Sequence, residues 1–296
     1  MPNPRFRLCE LPLRGAGGEP ISFVRTIHSH GCADLAPATV EATPPAYRRT
    51  FRLPRGTVDV RLRESRGRLI AETDRSVPAA QARRIVAAIR RMFRLDDDLS
   101  AFYRAIGGDP QLSWAANGAG RLLASPTVFE DVVKTICTTN CAWSATVRMT
   151  RALAELGSGA FPEPEEIART PEAWFRDVAR MGYRGPYVQT IARDVAAGRL
   201  DLESFRPAAR KSDETVRESL LALPGIGPYA AAHAMQLLGR HRHLVLDSWT
   251  RPAYLRLMKK KRAKDGTIER SFACYGAYAG LVFWLVLTRD WVEERA

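Results

Sequence analysis

From Thr57 to Arg63 the chain alternates: Val58, Val60 and Leu62 are separated by Asp59, Arg61 and Arg63. Successive side chains of a strand point to opposite faces, so this period predicts a half-buried strand. "ESRG" then turns the chain into "RLIAE" (Arg68–Glu72), completing a hairpin. "FRLCEL", "ISFVRTI" and "YRRTFRL" are shorter strand candidates nearby. After Pro78 the period becomes helical, with Ile85, Ala88, Ile89 and Met92 on one stripe of "AAQARRIVAAIRRMF". "SPTVFEDVVKTIC" has Ser125 and Pro126 as start signals and a buried face of Val128, Phe129, Val132, Val133 and Ile136. "EAWFRDVARMG" predicts a helix ending at Gly182, and "SDETVRESLLAL" one capped by Ser212 or Asp213. "GPYAAAHAMQLLG" and "YGAYAGLVFWLVLTRDW" are two further apolar helices.

These periods place a boundary near residue 77. An antiparallel β-rich domain (1–77) precedes a mainly α-helical part (78–296), an α+β chain without β-α alternation after the boundary. Composition adds a partner class. The formal charge of +13 favours a polyanion such as nucleic acid, although a solvated basic surface gives the same sum. Lysine is scarce, with six in the chain, four of them in "KKKRAK" (Lys259–Lys264). The five cysteines are dispersed and no spacing completes a metal site, so reduced structural thiols and no metal are expected. The N-terminus has no apolar signal core, and the longest apolar run, "LVFWLVL", is short of the ~20 residues a bilayer needs. A cytoplasmic protein without membrane association is the expectation.

"LPGIGPYAAAHAM" (Leu223–Met235) raises a choice. Gly225, Gly227 and Ala230 fit a dinucleotide fingerprint, but that motif needs a buried strand before its first glycine. Here the preceding segment is charged, capped and helical in period. The alternative is a helix-hairpin-helix (213–236) whose glycines bring backbone N–H groups and a helix start to a phosphate. A plain interhelical turn has the same letters. Downstream, in 244–251, the extended Leu244–Leu246 stretch delivers Asp247 to a helix start. Asp247 is sufficient there as an N-cap, yet the position also favours a fixed negative charge.

With these segments the chain resembles the helix-hairpin-helix DNA glycosylases, nearest the branch acting on 8-oxoguanine and alkylated bases such as 3-methyladenine. The hairpin Leu223–Ala231, Val245–Arg251, "GYRGPYV" (Gly182–Val188), "YGAYAGLVFW" (Tyr275–Trp284) and Gly120–Asn140 carry the likeness. It implies a helical glycosylase core with an N-terminal antiparallel β domain, and double-stranded DNA with a damaged base as partner. A flipped nucleotide would be hydrolysed at its N-glycosidic bond, Asp247 stabilising the sugar cation. Leu223, Gly225, Ile226, Gly227 and Tyr229 would hold the backbone. Asn140, Tyr183 and Arg184 would fill the gap and meet the orphaned base, and His233, Trp249, Phe283 and Leu287 would line the base pocket. A monomer is expected, with no cofactor or at most a monovalent cation at the hairpin.

Several departures refine the expectation. Strand-cutting relatives carry a Schiff-base lysine where this chain has Tyr229, which implies a monofunctional enzyme. Only Cys274 follows Asp247, so the iron-sulfur branch does not fit. Ala145 stands where the 8-oxoguanine enzymes place an arginine, and Phe283 where they place a glutamine. An aromatic pocket suits a cationic, alkylated purine, with 8-oxoguanine second. From another class, a non-catalytic hairpin protein recognising damaged or bent DNA shares the same motifs.

Overall fold

A computed structural model describes residues 5–292; the first four and last four residues of the sequence lie outside it. Five strands, β1 (Phe6–Pro12), β2 (Ala38–Glu41), β3 (Ala46–Arg52), β4 (Thr57–Ser65) and β5 (Arg68–Thr73), form one antiparallel sheet ordered β1-β5-β4-β3-β2. The alternation of β4 buries Val58, Val60 and Leu62 and leaves Asp59 exposed. β4 and β5 join at Arg66-Gly67, both with positive φ (51° and 71°), the geometry that matches the strand twist.

The strand candidate "ISFVRTI" is instead a short helix, α1 (Phe23–Ile27). Ser22 caps it by accepting from Arg25 N–H at 3.3 Å, and Phe23 and Ile27 are buried. A local cap therefore overrides the strand preference of a short apolar run.

The helices that follow are α2 (Ala79–Met92), α3 (Ser100–Ile106), α4 (Val128–Thr138), α5 (Trp143–Leu156), α6 (Pro164–Arg169), α7 (Glu172–Asp177), α8 (Arg184–Ala196), α9 (Asp213–Leu221), α10 (Pro228–Leu238), α11 (Thr250–Leu257), α12 (Asp265–Phe272) and α13 (Ala279–Thr288). α7 stops five residues before Gly182. Arg180 takes a positive φ of 51°, and Met181 N–H bonds Phe175 C=O, which folds Ala179 and Met181 into the core.

Three apolar cores organise the molecule. The sheet packs on α1 and α2 through Ile85, Ile89, Met92 and Phe93, with Phe93 stacked on Phe23 at 5.7 Å. A second core lies among α4, α5, α8, α9 and α10, and a third among α3, α11, α12 and α13. α4 is buried on all sides, polar residues included. Arg49 of β3 grips Glu130 through two bonds (2.9 and 2.5 Å), and Lys134 completes the cluster at 2.9 Å. Burial alone would raise the Glu130 carboxyl, but Arg49 and Lys134 outweigh it and hold it at about 2.

By length and composition Asp265–Trp291 is apolar enough to cross a membrane. It is not one continuous helix. Gly276 (φ 54°, ψ −117°) kinks it between α12 and α13, and Leu281, Val282 and Phe283 are fully buried in the third core.

Candidate DNA-binding and catalytic site

The turn between α9 and α10 uses its two glycines differently. Gly225 has φ 81°, and a Cβ there would stand 2.8 Å from the Tyr187 ring, so conformation and packing both require glycine. Gly227 has extended backbone (φ −95°, ψ −176°) open to any residue, and its Cβ would meet no atom within 4 Å. Neither strain nor internal packing requires glycine at that position, and the N-cap of a helix accepts one. Ile226 is buried and anchors the turn from inside, while Leu223 accepts from Ile226 N–H at 3.2 Å. Gly227 is the N-cap of α10, Pro228 is at N1, and no side chain caps the helix. The helix's own bonding begins with Ala231 N–H to Gly227 C=O, so the first-turn N–H groups face an exposed Gly227-Pro228 edge.

Asp247 lies two residues before Trp249 at the start of α11. Its Oδ1 accepts from Trp249 N–H (2.8 Å) and Thr250 N–H (2.6 Å), and Thr250 Oγ1 accepts from Asp247 N–H (2.8 Å). It is thus an N-cap, and more. Both cap bonds fall on one oxygen, so Oδ2 has no part in the cap. Among the described residues Asp247 forms no ion pair, and the guanidinium of Arg251, the nearest cation on α11, is held by Asp265 through two 2.8 Å bonds. The carboxylate is half-buried and unneutralised.

Tyr229, in the first turn of α10, joins the two features. It is largely buried, its hydroxyl lies 3.2 Å from Thr138 Oγ1, and Asp247 is among the charges it senses. Burial pushes its phenol up, so it keeps its proton at any physiological pH.

Beside Asp247 three tryptophans meet: Trp249 is 5.9 Å from Trp284 and 5.3 Å from Trp291, and Trp284 is 5.8 Å from Trp291. Trp249 is 38% exposed, whereas Trp284 Nε1 donates to Ser29 C=O at 2.8 Å. The aromatic cluster beside Asp247 thus joins Trp249, one of the expected pocket residues, to Trp284 and Trp291. Phe283, next to Trp284 in the same core, is fully buried on another side of α13, against Tyr254 and Phe272, with no ring contact to the tryptophans among the described residues. Leu287 packs in the same core. His233 is buried behind Tyr229 (6.2 Å) and Trp284 (6.5 Å). From the sequence Trp284 reads as a core residue, because α13 is apolar all round and its pattern does not mark a face; Trp291 lies in the turn after that helix.

At the other end of the site Asn140 follows α4 with φ 45°, exposed, its Nδ2 donating to Tyr183 Oη at 3.3 Å. Tyr183 is 49% exposed and packs edge-on against Tyr187, the ring that covers Gly225. Trp143, also 49% exposed and lying over Gly31, was not anticipated; an apolar ring at a helix start is its only sequence signal. Arg184 departs from expectation. It is buried, its guanidinium donates to Thr139 C=O and Met181 C=O, and it stacks on Tyr183 (4.5 Å). With these donors turned inward it braces the Asn140 turn.

No family model matches the chain. It is 26% identical over 253 residues to the DNA-3-methyladenine glycosylase of Bacillus subtilis, spanning 79% of this chain and 82% of that protein. Among solved structures, the 3-methyladenine DNA-glycosylase of Archaeoglobus fulgidus superposes with a TM-score of 0.71 at 19% identity, covering 95% of this chain and 98% of that one. The Clostridium acetobutylicum 8-oxoguanine glycosylase/lyase superposes in its apo form with a TM-score of 0.67 at 17% identity, covering 92% and 94%. Bound to double-stranded DNA it gives 0.60, covering 82% and 88%. The chain shares the α+β helix-hairpin-helix fold of these glycosylases.

Proposed function

We propose that this protein is a monofunctional DNA glycosylase that releases an alkylated purine by hydrolysis, working in the cytoplasm on duplex DNA. The observation that supports the reading is Asp247: a carboxylate without an ion pair among the described residues, fixed by two bonds to one oxygen and next to an aromatic cluster.

Each part of the geometry then has a step. The Gly227-Pro228 edge and the first-turn N–H groups of α10 hold a phosphate. Asn140 and Tyr183 enter the duplex where the nucleotide leaves, offsetting the few kcal/mol that unstacking costs. Trp249, with Trp284 and Trp291 behind it, stacks on the everted base; the negative faces of these rings favour a cationic purine. As the glycosidic bond breaks, positive charge grows on the sugar, and Asp247 Oδ2 stabilises it and aligns a water. Tyr229 occupies the place where a Schiff-base lysine would act and keeps its proton, so the strand is left intact.

The test is a base-release screen over duplexes carrying alkylated, oxidised, deaminated and mismatched bases. Release of the alkylated purine is expected, with strands cut only after alkali and no borohydride-trapped adduct. Release from none of the duplexes, with binding retained, would leave a DNA-binding protein in its place.

A further inference from the structure

Behind the tryptophans, the turn after α1 meets the middle of α10. His30, Cys32 and His233 are buried there, at 3%, 9% and 4% exposure, and one donor atom of each lies within 4.8 Å of the other two. The His30 and His233 rings are 5.7 Å apart and nearly perpendicular. Two ring nitrogens in this cluster, His30 Nδ1 and His233 Nε2, have no hydrogen-bond partner although both are fully buried. Buried polar atoms are almost always paired, so two orphans beside one thiol call for an occupant.

The surroundings suit a cation. His30 Nε2 lies 2.7 Å from Leu123 C=O; donating there, it fixes the tautomer and leaves the Nδ1 lone pair directed inward, the arrangement of a metal-ligating imidazole. Of the neighbouring charges, Lys134 lies 2.9 Å from Glu130, which Arg49 shares, and Asp131 lies 2.9 Å from Arg91, so a bound thiolate would offset the positive charge left over. Bonds of about 2.0–2.3 Å in a tetrahedral site need donors closer together than 4.8 Å, which side-chain rotation by about an ångström supplies.

We propose that His30 Nδ1, His233 Nε2 and Cys32 Sγ bind one zinc-class divalent cation, which clasps the sheet-bearing part of the chain to the hairpin helix. Sequence spacing hides the site, because His30 and Cys32 are two residues apart while His233 comes about two hundred later. On binding, three bonds form to the ion and the Cys32 S–H proton passes to solvent, so about one proton is released per ion. Two imidazoles and one thiolate leave the fourth tetrahedral position to water.

The experiment titrates the reduced, chelator-stripped full chain with Co²⁺ and then Zn²⁺. Expected are one Co²⁺ per chain, a thiolate-to-cobalt charge-transfer band that Zn²⁺ removes, and a melting temperature raised by Zn²⁺. Cys32→Ser loses the band, and Cys274→Ser, at an exposed thiol, keeps it. His233→Gln weakens binding at least about tenfold and decides the matter if Cys32→Ser fails to fold. Absence of stoichiometric uptake, a band that survives Cys32→Ser, or unchanged affinity in His233→Gln overturns the proposal.

Discussion

Replacing Asp247 by asparagine separates two roles that one side chain combines. The cap uses a single oxygen, Oδ1, which accepts from Trp249 and Thr250 N–H, and an amide oxygen offers the same acceptor. Asp and Asn are near equals as N-caps, so the stability cost is confined to the lost charge–helix interaction, about 0.3–1 kcal/mol. The chemical cost is larger. A unit charge about 4 Å from a developing sugar cation, at an effective dielectric near 20, contributes about 4 kcal/mol, or roughly a thousandfold in rate. Asp247→Ala would lose the cap as well, a further cost of about 0.5–2 kcal/mol. Single-turnover base release and thermal melting should therefore diverge. Asn should leave melting and duplex binding near wild type while release falls by about three orders of magnitude; Ala should lose both. Release by Asp247→Asn within tenfold of wild type would refute the assignment of charge stabilisation to this carboxylate.

Gly227→Ala should fold normally, since its Cβ meets no protein atom, and change stability by no more than about 1 kcal/mol. Its affinity for duplex DNA, measured by fluorescence anisotropy, should fall severalfold because the methyl group stands where a phosphate approaches. Arg184→Lys should lower the melting temperature by loss of the planar guanidinium that holds Thr139 and Met181, about 1–3 kcal/mol. It should leave the salt slope of DNA binding unchanged; a slope reduced by about one would instead mean a phosphate contact. Acid should destabilise the fold in two stages. Burial, then Arg94 and Arg121, hold His241 at about 3 against an ordinary 6.5, so the unfolded chain binds the extra proton and stability falls as pH drops below 6.5. Glu130, held at about 2 against 4.5, adds a second loss below pH 4.5. Urea midpoints equal at pH 7.5 and 5 would contradict the first stage.

What could be read from the sequence follows from which signals are local. The alternation of Val58, Val60 and Leu62 fixes both strand and face, because a period of two has one outcome on a sheet with one face against a core. Ser212 as a cap and Gly225 as a turn residue were equally legible, each being a requirement of its own few residues. "ISFVRTI" was not, since five apolar-rich residues satisfy either period and the Ser22 cap decides. The tryptophan-bearing side of α13 was hidden for another reason: a helix buried all round has no polar face to orient it, so Phe283 and Trp284 are indistinguishable in pattern. Arg184 misled because a charged residue is ordinarily solvated, and only the fold reveals two carbonyls waiting for it.

The Arg49–Glu130–Lys134 cluster bears on how the protein tolerates dissection. Removing the first 77 residues would take away Arg49 and strip the sheet from α2, leaving Glu130 sealed in the interior with one counter-charge where it had two. Removing one partner of a buried ion pair in this way typically costs about 3–5 kcal/mol, a large share of what holds a domain together. The visible change from strands to helices is therefore not a seam. Transplanting the helical half onto another scaffold, or truncating to a minimal enzyme, would need Glu130 and Lys134 redesigned together as an apolar pair.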